Sequence, residues 1–173
     1  IIIVALFAGF ESVLDEFQLH QPIITCTLIG LITGNLAEGL LLGGQLQLIA
    51  LGWMNIGAAM APDAALAGVV SGILVLVQGA SMGEGIAVAI PLAIAGQVLT
   101  IFIRTVAVGL SHYADRKAEE GDINGVASAN ILALMLQGLR VAVPAGLILM
   151  VSAQTVTDAL NAIPDVITGG LNV

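Results

Sequence analysis

Gln45, Gln47, Asn55 and Asp63 interrupt a glycine-rich apolar run that extends from Leu41 to Ala67. Hydrocarbon cannot hydrogen-bond to such side chains, so at membrane depth they must face protein, water or a polar solute. Gln47 and Asn55 lie eight positions apart and share one face of a helix. Their amides donate and accept together, which matches the paired hydroxyls of a sugar and gives no advantage for a bare cation. Gln45 lies two positions from Gln47 and shares its face only if Gly43-Gly44 loosens the backbone. Asp63 follows Pro62, and proline suits the first position of a helix, which puts Asp63 in the first turn. Its carboxylate there either complements the helix dipole or, where a helix breaks inside the membrane, faces a solute.

The elements that must position these residues are membrane helices. The 173 residues are 58% hydrophobic and 9% charged, against about 25% charged in an ordinary soluble domain, and mean hydropathy is +1.08. A formal net charge of −8 argues against nucleic acid or anionic lipid as the main partner. Ile1 to Phe10 reads as the end of a spanning helix, and with Ile1 first the chain reads as a fragment of a longer one. Residues 11 to 22 form either an interfacial helix with Val13, Leu14 and Phe17 on one face, or a solvated turn. Ile23 to Leu36 and Leu40 to Met60 are apolar and rich in glycine, which permits close helix approach. Ala64 to Val77 is shorter than the roughly 20 residues of a span, so broken or re-entrant helices are expected. Ile86 to Val108 and Asn130 to Val151 read as full spans, and Gln154 to Asn172 as a weaker segment. Between the full spans lies a hydrophilic stretch, 111 to 125, which holds Arg116 and Lys117 and is read as a cytoplasmic loop. Asn55 and Asn161 each precede a Pro-Asp pair, an echo that is either chance or the trace of an inverted repeat.

The remaining polar residues point less sharply. Arg104 and Arg140 read as cations snorkelling to the headgroups, with Gln97 and Gln137 before them. His20 and His112 lie in polar connectors and read as surface histidines. Cys26, the single cysteine, reads as a packed thiol. Trp53 is able to stack on a sugar, although a packed or interfacial tryptophan is commoner. No nucleophile set, phosphate-cradling loop or metal-ligand spacing specifies catalysis, and no cofactor is expected.

The chain resembles the membrane component C of the mannose-type bacterial phosphotransferase system. The likeness rests on Leu14 to Pro22, on Gly43-Gly44 through Asp63 to Ala67, on Ala89-Ile90-Pro91-Leu92-Ala93 with Gly96 to Thr100, and on Asn161-Ala162-Ile163-Pro164-Asp165. Relatives carry Glu where this chain has Gln47, which favours plain hydrogen bonding there. The resemblance implies an all-α, multi-pass permease subunit of the bacterial cytoplasmic membrane, one membrane-embedded unit over residues 1 to 173. It implies pairing with a D component, assembly of such pairs as trimers, and a hexose carried inward by movement of a core against a scaffold. A soluble A/B component would phosphorylate the sugar, so this chain would not itself be catalytic, and relatives serve as receptors for bacteriocins and for phage DNA entry. The expected sugar contacts are Gln47, Asn55 and Asp63, with Gln45, Trp53 and Gln97 as second choices. An ion-coupled carrier and a non-transporting scaffold are the competing classes: the first needs a proton relay, for which Asp63 is the candidate, and the second needs these polar groups to pair with protein.

Overall fold

The computed structural model describes residues 1 to 53, 60 to 151, and 155, 156 and 158. Among them the regular structure is entirely helical: α1 Ile2–Leu14, α2 Pro22–Thr33, α3 Leu36–Ala50, α4 Ala64–Leu76, α5 Met82–Glu119 and α6 Ile123–Met150. Two of these, α5 and α6, are long and apolar enough to cross a membrane. With 38 residues, α5 measures about 57 Å against a hydrocarbon core of about 30 Å. Exposed apolar side chains such as Phe102, Leu132 and Leu147 cover the outer faces of both.

The shorter helices fill the space beside them. In α2, Pro22 occupies the first turn, where its missing N–H is no loss, and the helix ends on Gly34, whose φ of 81° favours glycine. A single further residue, Asn35, leads into α3, so the two helices fold back as a hairpin too short to span. Gly30 and Gly39 bring their backbones together; a Cβ on Gly39 would lie 2.6 Å from the Cys26 carbonyl oxygen. Cys26 is buried here, its thiol 3.3 Å from the Gly68 carbonyl oxygen. Helix α4, 13 residues long, is buried from Ala65 to Leu76 and forms the centre, with Val69, Val70, Ile73 and Leu74 packed on α1, α5 and α6. It is sheathed by protein, which explains how so short an apolar helix is stable at this depth.

Of the two readings of residues 11 to 22, the turn holds beyond Leu14: the buried Glu11 carboxylate accepts the Phe17 N–H at 2.6 Å, and Asp15 and Gln18 take left-handed φ of 55° and 56°. Two boundaries differ from expectation. The segment Leu40 to Met60 is not one helix, because α3 ends at Ala50 ahead of Gly52. The hydrophilic stretch 111 to 125 is not a loop, since α5 runs to Glu119 and α6 starts at Ile123. Ala, Glu, Lys and Arg are good helix formers, and Arg116 and Lys117 complement the negative end of the dipole. The turn is set by Gly121 at φ 72° and by Asp122, which caps α6 by accepting the Gly125 N–H at 2.9 Å. Asn55 and Asn161 to Asp165, which carry the inverted-repeat expectation, lie outside the described residues.

Candidate functional site

Where α4 begins, the backbone of Met60 to Asp63 is not helical, and its polar groups find partners on α5. The Gln97 amide donates to the Met60 carbonyl oxygen at 2.9 Å, and the Asp63 N–H donates to the Ala93 carbonyl oxygen at 3.0 Å. Gly96 lies between these contacts; a Cβ there would sit 3.1 Å from Asp63 Cβ, so glycine admits the segment to the helix surface. Asp63 is the N-cap of α4 and not a first-turn residue: its backbone is extended and its Oδ1 accepts the Leu66 N–H at 3.1 Å.

The other carboxylate oxygen, Oδ2, forms an ion pair with Arg140 Nη1, and both side chains are nearly sealed, 6% and 4% exposed. Arg140 therefore does not snorkel. Its guanidinium donates through Nη1 to Thr100 Oγ1 at 2.8 Å and through Nη2 to Ser12 Oγ at 2.8 Å. Each hydroxyl gives its own proton to a carbonyl of its own helix, Thr100 to Gly96 at 2.9 Å and Ser12 to Gly9 at 2.7 Å, which leaves lone pairs facing the cation. Arg140 thus joins α1, α5 and α6 to the start of α4. One signal for this was present in the sequence: Arg140 is ten residues, about 15 Å, from the end of α6, too deep for easy snorkelling.

These residues border a cavity of about 190 Å³, well above the about 10–15 Å³ that one water requires. Its lining is mixed. Trp53, Val13, Met60 and Pro62 give apolar surface, while Asp63, Arg140, Gln137, Thr100 and Ser12 give polar groups, with Arg104, His20 and Gln21 completing the wall. A small polar solute with an apolar face fits such a lining. Among the described residues no three of His, Cys, Asp and Glu gather as a metal ion would need.

The residues singled out by sequence divide. Asp63 and Trp53 line the cavity. Gln47 stands one step behind it, donating to Gln21 Oε1 at 2.9 Å and receiving the Ile23 N–H at 3.4 Å. From Gln21 the chain of amides continues to Gln18 at 3.0 Å and to Asp15 Oδ1 at 2.5 Å. Gln97 holds Met60, Gln45 is exposed, and Asn55 lies outside the described residues. Arg140, Gln137, Thr100 and Ser12 were not foreseen as site residues, and His20, read as a surface group, faces the cavity with its side chain 16% exposed.

The family described as "PTS system sorbose-specific iic component" matches residues 1–173. The mannose-specific EIIC component of the phosphotransferase system of Escherichia coli (strain K12) is 52% identical over 174 residues, covering all of this chain and 65% of the relative. The fructose permease IIC component of Bacillus subtilis (strain 168) is 50% identical over 173 residues, with 100% and 64% coverage. The chain thus spans about 65% of the length of such relatives. Among solved structures, the cryoEM structure of the mannose transporter ManYZ with microcin E492 matches with a TM-score of 0.91 at 52% identity, covering 99% of this chain and 69% of that one. Family match and identity extend over the whole chain, the described residues are helical in their regular structure, and with α5 and α6 long enough to cross a bilayer, this membrane protein belongs to the sorbose-type family of phosphotransferase-system IIC components.

Proposed function

We propose that the chain is the sugar-binding and sugar-translocating part of a phosphotransferase-system permease in the bacterial cytoplasmic membrane. The observation that carries this reading is the cavity at the break before α4, where Trp53 and Asp63 offer a ring-sized apolar face beside a carboxylate. Asp63 accepts from sugar hydroxyls with the lone pairs left by Leu66 and Arg140, and Trp53 stacks on the ring. Gln47 acts from behind, orienting Gln21 at the wall, and Asn55 remains a proposed contact. Because the relatives bear mannose, sorbose and fructose names, the substrate class is a hexose.

The chain works with a D component, such pairs forming trimers, and phosphorylation is left to the soluble A/B component, so it binds and moves the sugar without catalysing the transfer. The complex of ManYZ with microcin E492 supports a role as a bacteriocin receptor for this chain too. Ion coupling fits less well, because both oxygens of the Asp63 carboxylate are already engaged, by the Leu66 N–H and by Arg140. The scaffold reading draws on the intrachain pairs Gln47 with Gln21 and Asp63 with Arg140.

Asp63→Asn in the full-length subunit separates these readings. Asparagine keeps the N-cap to Leu66 but turns its NH2 toward Arg140, which retains Thr100 and Ser12 as acceptors, so the complex should still assemble. Pull-down of the D component should be unchanged while hexose uptake falls. Intact uptake would remove Asp63 from the sugar site, and lost assembly would make it structural.

A further inference from the structure

We propose that Arg140 is a positioning residue for sugar transport: it acts through Asp63, holding the carboxylate oriented and attached to the α1–α5–α6 wall of the cavity. The inference rests on the sugar-site reading of Asp63 given above.

The geometry is specific to a guanidinium. Three acceptors on three elements surround Arg140: Asp63 Oδ2 at the start of α4, Thr100 Oγ1 on α5 and Ser12 Oγ on α1. A planar fork with five N–H groups reaches all three from a fixed position, whereas the single ammonium of lysine would have to leave at least one. Both hydroxyls are committed as acceptors because each donates to a carbonyl of its own helix. The seat is therefore built for a cation whether or not a solute is present.

The pair also has a mechanical consequence. Asp63 ends the non-helical segment that starts α4, and that segment is held from α5 by Gln97 and the Ala93 carbonyl. Arg140 adds the tie to α6 and, through Ser12, to α1. A sugar that competes for Asp63 loosens one bond of a three-bond clasp while the other two keep Arg140 in place. The carboxylate can then return to the same position after the sugar leaves.

The test measures uptake of mannose, sorbose and fructose by the full-length subunit co-expressed with its D component and, for the sugar that is carried, reads KM and maximal rate per assembled complex. Arg140→Lys keeps the charge and loses the fork; KM should rise about tenfold, equivalent to about 1.4 kcal/mol, with the maximal rate within about twofold. The double variant Asp63→Asn/Arg140→Lys should show the KM of Asp63→Asn alone, since Arg140 acts only through that carboxylate. If Arg140→Lys fails to assemble, Thr100→Val trims only the seat, and its KM should rise about threefold. An unchanged KM in the assembled arginine-site variant, beside a raised KM in Asp63→Asn, would overturn this inference alone. So would effects of the two changes that multiply in the double variant. An unchanged KM in Asp63→Asn, or no uptake of mannose, sorbose or fructose by the wild-type complex, would overturn the sugar reading and this inference with it.

Discussion

Between α2 and α3 two backbones meet at glycine, with no charge and little beyond van der Waals contact at the crossing. Where α1, α4, α5 and α6 meet, the helices are joined by a buried ion pair and two hydroxyls around Arg140. Close backbone packing has one geometry; a shift of an ångström removes it or creates overlap. A polar junction beside a cavity is different, because water or a solute hydroxyl can replace each protein partner in turn. The hairpin is therefore suited to staying fixed and the Arg140 junction to exchanging partners. On the proposed sugar-site reading, the functional site belongs at the second kind of contact.

The largest expected effect comes from breaking the polar junction while leaving its partners in place. Arg140→Met strands the Asp63 carboxylate and two hydroxyls, and should cost about 3–5 kcal/mol, read as the SDS fraction at half-unfolding of the purified complex. Adding Asp63→Asn to that variant removes the stranded charge and should recover a large part of the loss. Equal stability of Arg140→Met and wild type would mean that the pair is hydrated and open, and the contrast with the hairpin would fail.

The two regions also differ in how readable they were. The short α4 and the small residues that let α2 and α3 approach are local features, legible as run length and glycine content, although the turn at Gly34 was not placed because the apolar run continues through it to Leu36. So is the interruption at Pro62-Asp63, which sequence placed two residues too far into the helix. The junction is not local. Ser12 lies 128 positions from Arg140 and Thr100 lies 40, and a lone arginine in an apolar run looks the same whether it snorkels or meets a distant carboxylate. Amides are ambiguous in another way: Gln47 and Gln97 read as solute contacts, and in this structure each is engaged with protein, Gln21 and Met60. The stretch 111 to 125 was misjudged because charge density was read as loop, whereas charged residues extend a helix once it leaves hydrocarbon.

A middle-sized effect tests the hairpin itself. Gly39→Ala would set a Cβ 2.6 Å from the Cys26 carbonyl oxygen and 2.9 Å from Gly30 Cα. Both neighbours are backbone and cannot rotate away, so α2 and α3 must separate, at about 1–3 kcal/mol by the usual cost of overpacking. Because no charge is involved, the loss should be the same at low and high salt. Sugar KM should stay within about twofold in the fraction that folds, since the hairpin is not part of the clasp. A KM that rises with Gly39→Ala would show the hairpin to be mechanically coupled to the cavity.

The smallest effect has the opposite sign. Gly43 and Gly44 are neighbours in α3, but helical geometry turns them to different sides. A Cβ on Gly43 would lie 2.8 Å from Ile23 Cα and 2.9 Å from the Pro22 carbonyl oxygen, while a Cβ on Gly44 would meet nothing within 4 Å. Alanine is the better helix former by about 0.8–1 kcal/mol, so Gly44→Ala should raise the SDS fraction at half-unfolding slightly, and Gly43→Ala should lower it. The pair of variants differs only in which face of one helix receives a methyl group. Opposite signs would confine the glycine contact to the α2 side of α3. A loss at Gly44 as well would mean that another surface closes on that side of α3 in the assembled complex, and the D component would be the first partner to examine there.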